Sequence, residues 1–525
     1  MDNIIRRHNL SRTVNSIRNI IASFLMQLLT ILTQFITRSV FIRILGPQYL
    51  GINGLFSNII TMLSLAELGV GSAIIFNLYK PIQENNQKYI KLLMKFYKNT
   101  YRIIGLFILL AGIVLIPFLP YIIKDYDSLG QLGINSTLIF LLYLLQSVST
   151  YLFFAYKAAI IRGHQKEYII TVIAAGITII TNIIQIIVLL LFKDFVIYTA
   201  VVILFIIIQN IITAVISTKM YPYISQKTNE SLPEKDVKGI FKNCSALFLY
   251  KINSVVLTAT DNIILSGYIG LSIVGMYSNY LLIYNSIRTI LGKIYSALTA
   301  SMGNLHASDN REQELRIFKL INYFTFIIFG IAAVGVFVTI NKFIALWVGK
   351  TYVISTLFAF LIAIELYIDG LQKFLSMIRH SAGLFQQAKY RPLFGIIINL
   401  IISLILVNYI GIYGVIIGTI IANLSTFMWY DPIIIFRNIF KTSAKKYFFH
   451  NIIYIFLVIL AGYISYYICL LINISGWGGF IIDFLICITV SLIVFILFTY
   501  RTYEFKYFRN MIKKILNESL KRTSL

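Results

Sequence analysis

The sequence predicts an all-α polytopic membrane protein with about fourteen transmembrane helices. Three observations carry that reading. First, the 525 residues are 58% hydrophobic and only 12% charged, with a mean hydropathy of +0.83; a soluble protein carries a charged fraction of roughly 25%. Second, apolar runs of membrane-spanning length recur along nearly the whole chain, which rules out a string of soluble domains. They are continuous rather than alternating every second residue, so an outer-membrane barrel is excluded as well. Third, the connections between the runs alternate in positive charge.

In order, the expected spans are centred on 20–42, 53–78, 103–122, 136–156, 168–192, 196–218 and 244–266, then on 273–292, 320–340, 353–372, 392–408, 413–434, 451–472 and 479–500. One set of connections carries Lys80, Lys88, Lys91, Lys95, Lys98 and Arg102, then Lys157, Arg162 and Lys166, then Lys219, Lys227, Lys235, Lys238 and Lys242. Arg311, Arg316, Lys319, Arg379, Lys389, Arg391, Arg437, Lys441, Lys445 and Lys446 continue that side. The other set holds Lys124, Lys193, Lys342 and Lys350. By the positive-inside rule the first set is cytoplasmic. Both termini then face the cytoplasm, which requires an even number of spans.

The net charge of +25 is therefore a topology signal, and no nucleic-acid partner is expected. Cys244, Cys469 and Cys487 sit in apolar segments with no metal or disulfide spacing. The start, with Arg6, Arg7, Arg12 and Arg18, runs into a full-length span, so no cleavable leader is expected. His8, His164, His306, His380 and His450 are scattered over the basic connections and read as solvated or headgroup contacts. The opposite connections are short, the longest being 123–134 and 341–352, and leave no room for an outer catalytic domain.

Two stretches read as amphipathic helices rather than spans. In 88–102 the basic series Lys88, Lys91, Lys95, Lys98, Arg102 runs down one helical face, with Ile90, Leu93, Phe96 and Tyr97 opposite. The tail 503–522 mixes Phe508, Met511, Ile512 and Ile515 with Lys506, Arg509, Lys513 and Lys514. Both suit helices on an anionic inner leaflet, with anionic lipids as partners. The competing reading is a surface helix packed against other cytoplasmic loops.

An internal repeat is visible at an offset of 221 residues. It pairs Leu28 with Leu249, Ile31 with Ile252, Thr37 with Thr258, Ile42 with Ile263, Gly46 with Gly267 and Leu50 with Leu271. It continues with Ile52/Ile273, Gly54/Gly275, Ser57/Ser278 and Asn58/Asn279. Both copies begin on the same side, so the repeat is parallel, the signature of two helical bundles rocking about a central site. The expected organisation is a six-helix bundle over 1–218, a cytoplasmic linker over 219–243 and a second six-helix bundle over 244–435. An additional helix pair over 436–500 and a basic amphipathic tail over 501–525 complete it.

The stretch Phe41-Ile-Arg-Ile-Leu-Gly-Pro-Gln-Tyr-Leu-Gly51, followed by Leu65-Ala-Glu-Leu-Gly-Val-Gly-Ser-Ala73, resembles the first two helices of Wzx-type polysaccharide flippases. These belong to the multidrug/oligosaccharidyl-lipid/polysaccharide exporter superfamily. The motif match is confined to about 41–80, while the topological likeness covers the chain. The resemblance implies alternating-access transport of undecaprenyl-diphosphate-linked oligosaccharide from inner to outer leaflet of the bacterial cytoplasmic membrane. A capsule, O-antigen or teichoic-acid-like precursor would be the cargo. It leaves open a polysaccharide polymerase as partner, H+ or Na+ as coupling ion, and an ion-coupled multidrug exporter as the alternative activity.

Ionisable side chains inside spans are site candidates by default, because each is costly there unless paired or hydrated. They are Arg38 and Arg43, Glu67, Lys251 and Asp261, Arg288, Glu365 and Asp369 one turn apart, and Asp483. Glu67 and Arg288 are repeat equivalents. Arg38, Lys251 and Arg288 are expected to line a cavity and engage a diphosphate, to which guanidinium groups bind bidentately. Glu67, Asp261, Glu365 and Asp369 are expected to balance charge or carry a coupling cation, and Arg43 and Asp483 to reach an interface. A purely structural alternative is an ion pair between Glu67 and Arg288 closing a gate.

Leu68-Gly-Val-Gly-Ser72 lies within a span, where small residues permit close packing or a bend. Val348-Gly-Lys-Thr351 imitates the end of a Walker A sequence, but Ile344 stands where its first glycine belongs. Neither nucleotide, metal nor cofactor is expected. A polymerase or ligase would need a sizeable outer loop bearing Arg or His. A non-transporting scaffold would not need the buried charges.

Overall fold

The computed structural model describes residues 2–67, 70–124, 126–131, 133–226, 228–240, 259–307, 310–384, 386–388, 390–511 and 513. Among them the secondary structure is helical throughout, with no strand. The main helices are α1 (Asp2–Leu45), α2 (Pro47–Leu63), α3 (Val70–Gln83), α4 (Gln87–Leu115), α5 (Ser136–Leu152), α6 (Glu167–Phe192), α7 (Phe195–Met220) and α8 (259–268). They continue with α9 (Leu271–Ala307), α10 (Arg311–Trp347), α11 (Thr356–Ser381), α12 (Arg391–Ile410), α13 (Ile412–Ile435), α14 (Lys445–Ile472) and α15 (Gly476–Thr499).

Local chemistry sets many of the boundaries. Asn86, Asn135, Asp194, Asn310 and Ser355 each accept a hydrogen bond from the backbone N–H three residues on, the N-cap that starts α4, α5, α7, α10 and α11. Left-handed glycines separate neighbouring helices: Gly46 (φ 86°) lies between α1 and α2, and Gly270 (φ 129°) between α8 and α9.

Nine helices among the described residues are long and apolar enough to cross a membrane, or ten if Ser136–Leu152 and the bent continuation Ala155–Gly163 form one span. The fourteen expected stretches fall on helix except most of the seventh, of which 244–258 lies outside the described residues. The second is broken: α2 ends in a 3-10 turn at Ser64–Glu67 and helix resumes at Val70. α11 is not among those nine helices because Glu365, Asp369 and Lys373 place three charges in its middle.

The chain divides into two compact units, Met1–Ser278 with Val407–Ile412, and Asn279–Leu406 with Tyr413–Leu525. In the first, α1 packs along α6, α7 lies against α5 and α6, and α4 against α5. The repeated segments also meet there. A Cβ on Gly51 would collide with the Leu271 carbonyl oxygen, and one on Gly275 with the Pro47 carbonyl oxygen, so glycine lets the backbones touch. In the second unit α10 is the central helix, packed against α11, α14 and α15. The final pair is joined to it by polar as well as apolar contacts. Lys342 donates to Asp483 at 2.5 Å, Tyr323 and Thr499 hydroxyls meet at 2.8 Å, and Tyr454 stacks on Phe326 at 4.2 Å.

The basic stripe of 88–102 departs from the expectation of a separate helix on the leaflet. It forms the first turns of the continuous helix α4, with Ile90, Leu93 and Tyr97 buried. Its lysines hold the segment that follows α7. Lys88 pairs with Glu230 at 2.8 Å, Lys91 donates to Gln226 at 3.0 Å, and Lys95 donates to the carbonyls of Thr228 and Glu230 at 2.9 and 3.0 Å. Three of the five basic residues of the stripe thus bind the chain itself. Of the basic tail, residues 503–511 are helical or partly so, and 514–525 lie outside the described residues.

Candidate functional site

Hydrophobic helices packing in lipid need no polar side chains, so polar clusters among them are where function is sought. Two such clusters among the described residues, one in each unit, differ in electrostatic character.

In the first unit, α2, α5, α6 and α7 enclose a cavity of about 270 Å³ whose lining is rich in uncharged polar groups, among them Asn53, Gln146, Asn182, Gln185, Tyr198 and Gln209. Helical spacing assembles it: Asn182 and Gln185 are three apart on α6, and Tyr143 and Gln146 three apart on α5. Tyr143 donates to Asn53 Oδ1 at 2.8 Å, Asn182 donates to Thr33 Oγ1 at 3.0 Å, and Gln185 donates to the Tyr198 carbonyl at 3.3 Å. Ionisable groups alone drew attention in the sequence, so these amides escaped it; polar residues at a three-residue spacing within apolar spans were the available signal.

Arg38, on α1, stands beside this cavity. Its guanidinium lies within electrostatic reach of Tyr143 and Tyr198, both lining residues. Nη2 donates to the carbonyl and the hydroxyl of Ser278 at 3.3 and 3.2 Å. Among the described residues it forms no ion pair. Glu67, at the broken second span, accepts a hydrogen bond from Tyr101 at 3.0 Å, and a Cβ on Gly71 would sit 3.0 Å from its Oε1. Asp261 is buried in α8. Lys251 lies outside the described residues, and Arg43 is exposed at the end of α1.

The second unit brings Arg288, expected beside Arg38 and Lys251, together with Glu365 and Asp369 instead, and adds Lys373. Arg288 Nε donates to Asp369 Oδ1 at 2.9 Å, and Lys373 Nζ is 3.8 Å from Asp369 Oδ2. Glu365 hydrogen-bonds Tyr284 and is within electrostatic reach of Arg288 and Asp369. Lys373 rests over Gly292, where a Cβ would approach Nζ to 3.3 Å. Two cations and two carboxylates therefore compensate one another locally.

Fully buried Asp431, which the sequence reading overlooked, sits 3.7 Å from Arg379 and pairs with Arg391, tying together the ends of α11, α12 and α13. His306 pairs with Glu314 across the turn between α9 and α10. The Gly349-Lys-Thr351 sequence is a 3-10 turn over Lys350–Tyr352 rather than a phosphate loop. No cluster of His, Cys, Asp and Glu fit for a metal occurs among the described residues.

A sequence model of the family described as polysaccharide biosynthesis protein matches residues 16–302, more than half of the chain. No curated protein matches by sequence. Among solved structures, the lipid II flippase MurJ in an inward closed conformation is similar with a TM-score of 0.64 at 16% identity, covering 92% of this chain and 98% of that one. An inward-facing multidrug resistance MATE family transporter of the MOP superfamily gives 0.62 at 16% identity, covering 81% and 100%. A mutant of a Vibrio cholerae MATE transporter gives 0.53 at 15% identity, covering 82% and 100%. At such identities the likeness is one of fold: this is a multi-pass membrane protein with the architecture of MOP-superfamily transporters.

Proposed function

The chain belongs to the polysaccharide biosynthesis protein family, and from that premise we propose that it is a flippase for undecaprenyl-diphosphate-linked oligosaccharide. It works in the bacterial cytoplasmic membrane with both termini inside, moving a capsule, O-antigen or teichoic-acid-like precursor to the outer leaflet by alternating access. The observation that carries this reading is Arg38. A guanidinium among membrane helices is costly, and this one has no carboxylate paired with it among the described residues, only hydrogen bonds to Ser278. A diphosphate supplies the missing negative charge and the paired acceptor oxygens that suit an arginine.

Arg288 takes a different role in this reading. Asp369 neutralises it, so the Arg288–Asp369–Glu365–Lys373 group serves as the coupling site, where an arriving H+ or Na+ would upset a balanced set of charges. Lys251 remains a second phosphate ligand in the proposal, with Glu67 and Asp261 as charge-balancing groups. The multidrug-exporter alternative calls for carboxylates available to an organic cation, whereas Glu365 and Asp369 sit beside two cations of the protein itself.

The test is the sidedness of lipid-linked glycan in proteoliposomes, read with an added membrane-impermeant glycosidase. Protein-dependent exposure of the inner-leaflet pool is expected, lost in Arg38→Ala and partly retained in Arg38→Lys. A pool that stays protected under imposed proton and sodium gradients, with folded protein, would turn the assignment to the drug exporter.

A further inference from the structure

The polar cavity of the first unit has a chemistry that a diphosphate does not explain. Its polar lining residues are amides, hydroxyls and phenols, with no charged side chain among them. Asn182 and Gln185 spend their N–H groups on Thr33 and on the Tyr198 carbonyl, holding α6 to α1 and α7. Such bonds are the ordinary glue of membrane helices. Gln146 and Gln209 are different: neither side chain makes a hydrogen bond to any described residue, although both line the cavity. A primary amide carries two donors and two acceptor lone pairs. Both side chains are half-buried and line the cavity, so these donors and acceptors are open to a ligand.

A ligand that satisfies such a lining presents donors and acceptors together, carries no charge, and has a face that packs on a phenol ring. That is the description of an uncharged sugar. We infer that this cavity is the carbohydrate subsite of the transport site, holding one neutral hexose or N-acetylhexosamine, with Gln146 and Gln209 as its specificity-determining residues. Size agrees. At about 270 Å³ the cavity lies just under the roughly 300–1,000 Å³ of pockets for drug-sized ligands, enough for one ring, with further sugars extending through its open side. Position agrees as well, since Tyr143 and Tyr198 connect the cavity to Arg38. The sugar seated there is therefore the first one, joined directly to the diphosphate at Arg38.

This inference rests on the flippase reading, and the experiment separates the two. Full-length protein in nanodiscs is titrated with undecaprenyl diphosphate, with N-acetylglucosaminyl diphosphoundecaprenol and with glucosyl diphosphoundecaprenol. Wild type should bind at least one glycosylated lipid about tenfold more tightly than the bare one, the equivalent of 1.4 kcal/mol. Gln146→Leu and Gln209→Leu should each erase most of that preference while leaving affinity for the bare lipid unchanged. The bare lipid thus reports on folding within the same sample, because a misfolded variant loses both. Equal affinity of wild type for all three lipids, or a preference that survives both substitutions, would overturn the sugar subsite and leave the flippase reading standing. Binding of none of them would remove both.

Discussion

Asp369 lies between Arg288, at 2.9 Å, and Lys373, at 3.8 Å, so a single carboxylate on α11 answers a cation from α9 and one from its own next turn. The arrangement is unequal: removing Asp369 takes the paired carboxylate from both cations and leaves only Glu365 near Arg288, while removing either cation leaves Asp369 still paired. Breaking a buried pair costs about 3–5 kcal/mol when the partner cannot reach water. Asp369→Ala should therefore lower the thermal unfolding temperature in detergent more than Arg288→Ala does, the one-third-exposed Arg288 side chain moderating its own loss. The reverse order would show that Lys373 does not share the carboxylate.

The segment after α7 is held to α4 by exposed lysines, which contribute little stability individually, about 0–1 kcal/mol. Lys95 is the strongest point because it binds two backbone carbonyls. Lys95→Met should leave global unfolding almost unchanged, yet speed cleavage at Glu230 and Glu234 by a glutamate-specific protease several-fold. Unaltered cleavage would show that Tyr89, through Asp236 at 2.8 Å, suffices to hold the segment.

The glycines separate cleanly by surroundings. Gly51→Ala forces a methyl into the Leu271 carbonyl, a backbone atom that cannot swing aside, and should cost at least about 1–3 kcal/mol. Gly176→Ala, in mid-α6 with nothing within 4 Å of the added carbon, should instead stabilise by about 0.5–1 kcal/mol. Yields and melting temperatures of the two variants, compared side by side, check both signs.

His164 stacks on Tyr221 with ring centres 4.2 Å apart. Burial, with Lys166 adding repulsion, pulls its pKa down to about 4, and burial with the arginines at 379 and 391 does the same to His380. Because the folded values lie below the unfolded value of about 6.5, both residues contribute full stability above that pH. The contribution falls as pH drops from about 6.5 towards 4 and is constant below. The double variant His164→Gln, His380→Gln should flatten the melting temperature across that interval. A slope identical to wild type would assign the acid sensitivity to other groups, His306 and the carboxylates among them.

Helices were legible because they are local, while their ends, set by caps that the spans do not show, were not. Apolar length gives spans, whereas Asn86, Asn135, Asp194, Asn310 and Ser355 set where their helices start. Glu365 and Asp369, one turn apart on one helix, could be paired from spacing. Lys373 continues that same face, yet it was placed in no site because it was read as lying beyond the span.

Long-range partners were hidden for the opposite reason. Nothing in the order of residues says that Lys342 meets Asp483, or that Asp431 answers Arg379 and Arg391; such pairs depend on which helices become neighbours. The basic stripe of α4 is the clearest instance. Periodicity showed a charged face, and only packing revealed that three of its lysines bind the segment after α7.

By itself, then, the sequence determined a helical membrane protein with an internal repeat, because hydropathy and the 221-residue offset are properties of the chain read in order. Tertiary structure alone decided which charges are answered. It set Arg38 against Ser278 and beside two tyrosines, placed Arg288 against Asp369, and closed amides from separate helices around one cavity. Electrostatics and hydrogen bonding act over a few ångströms of space, and sequence separation does not measure that distance.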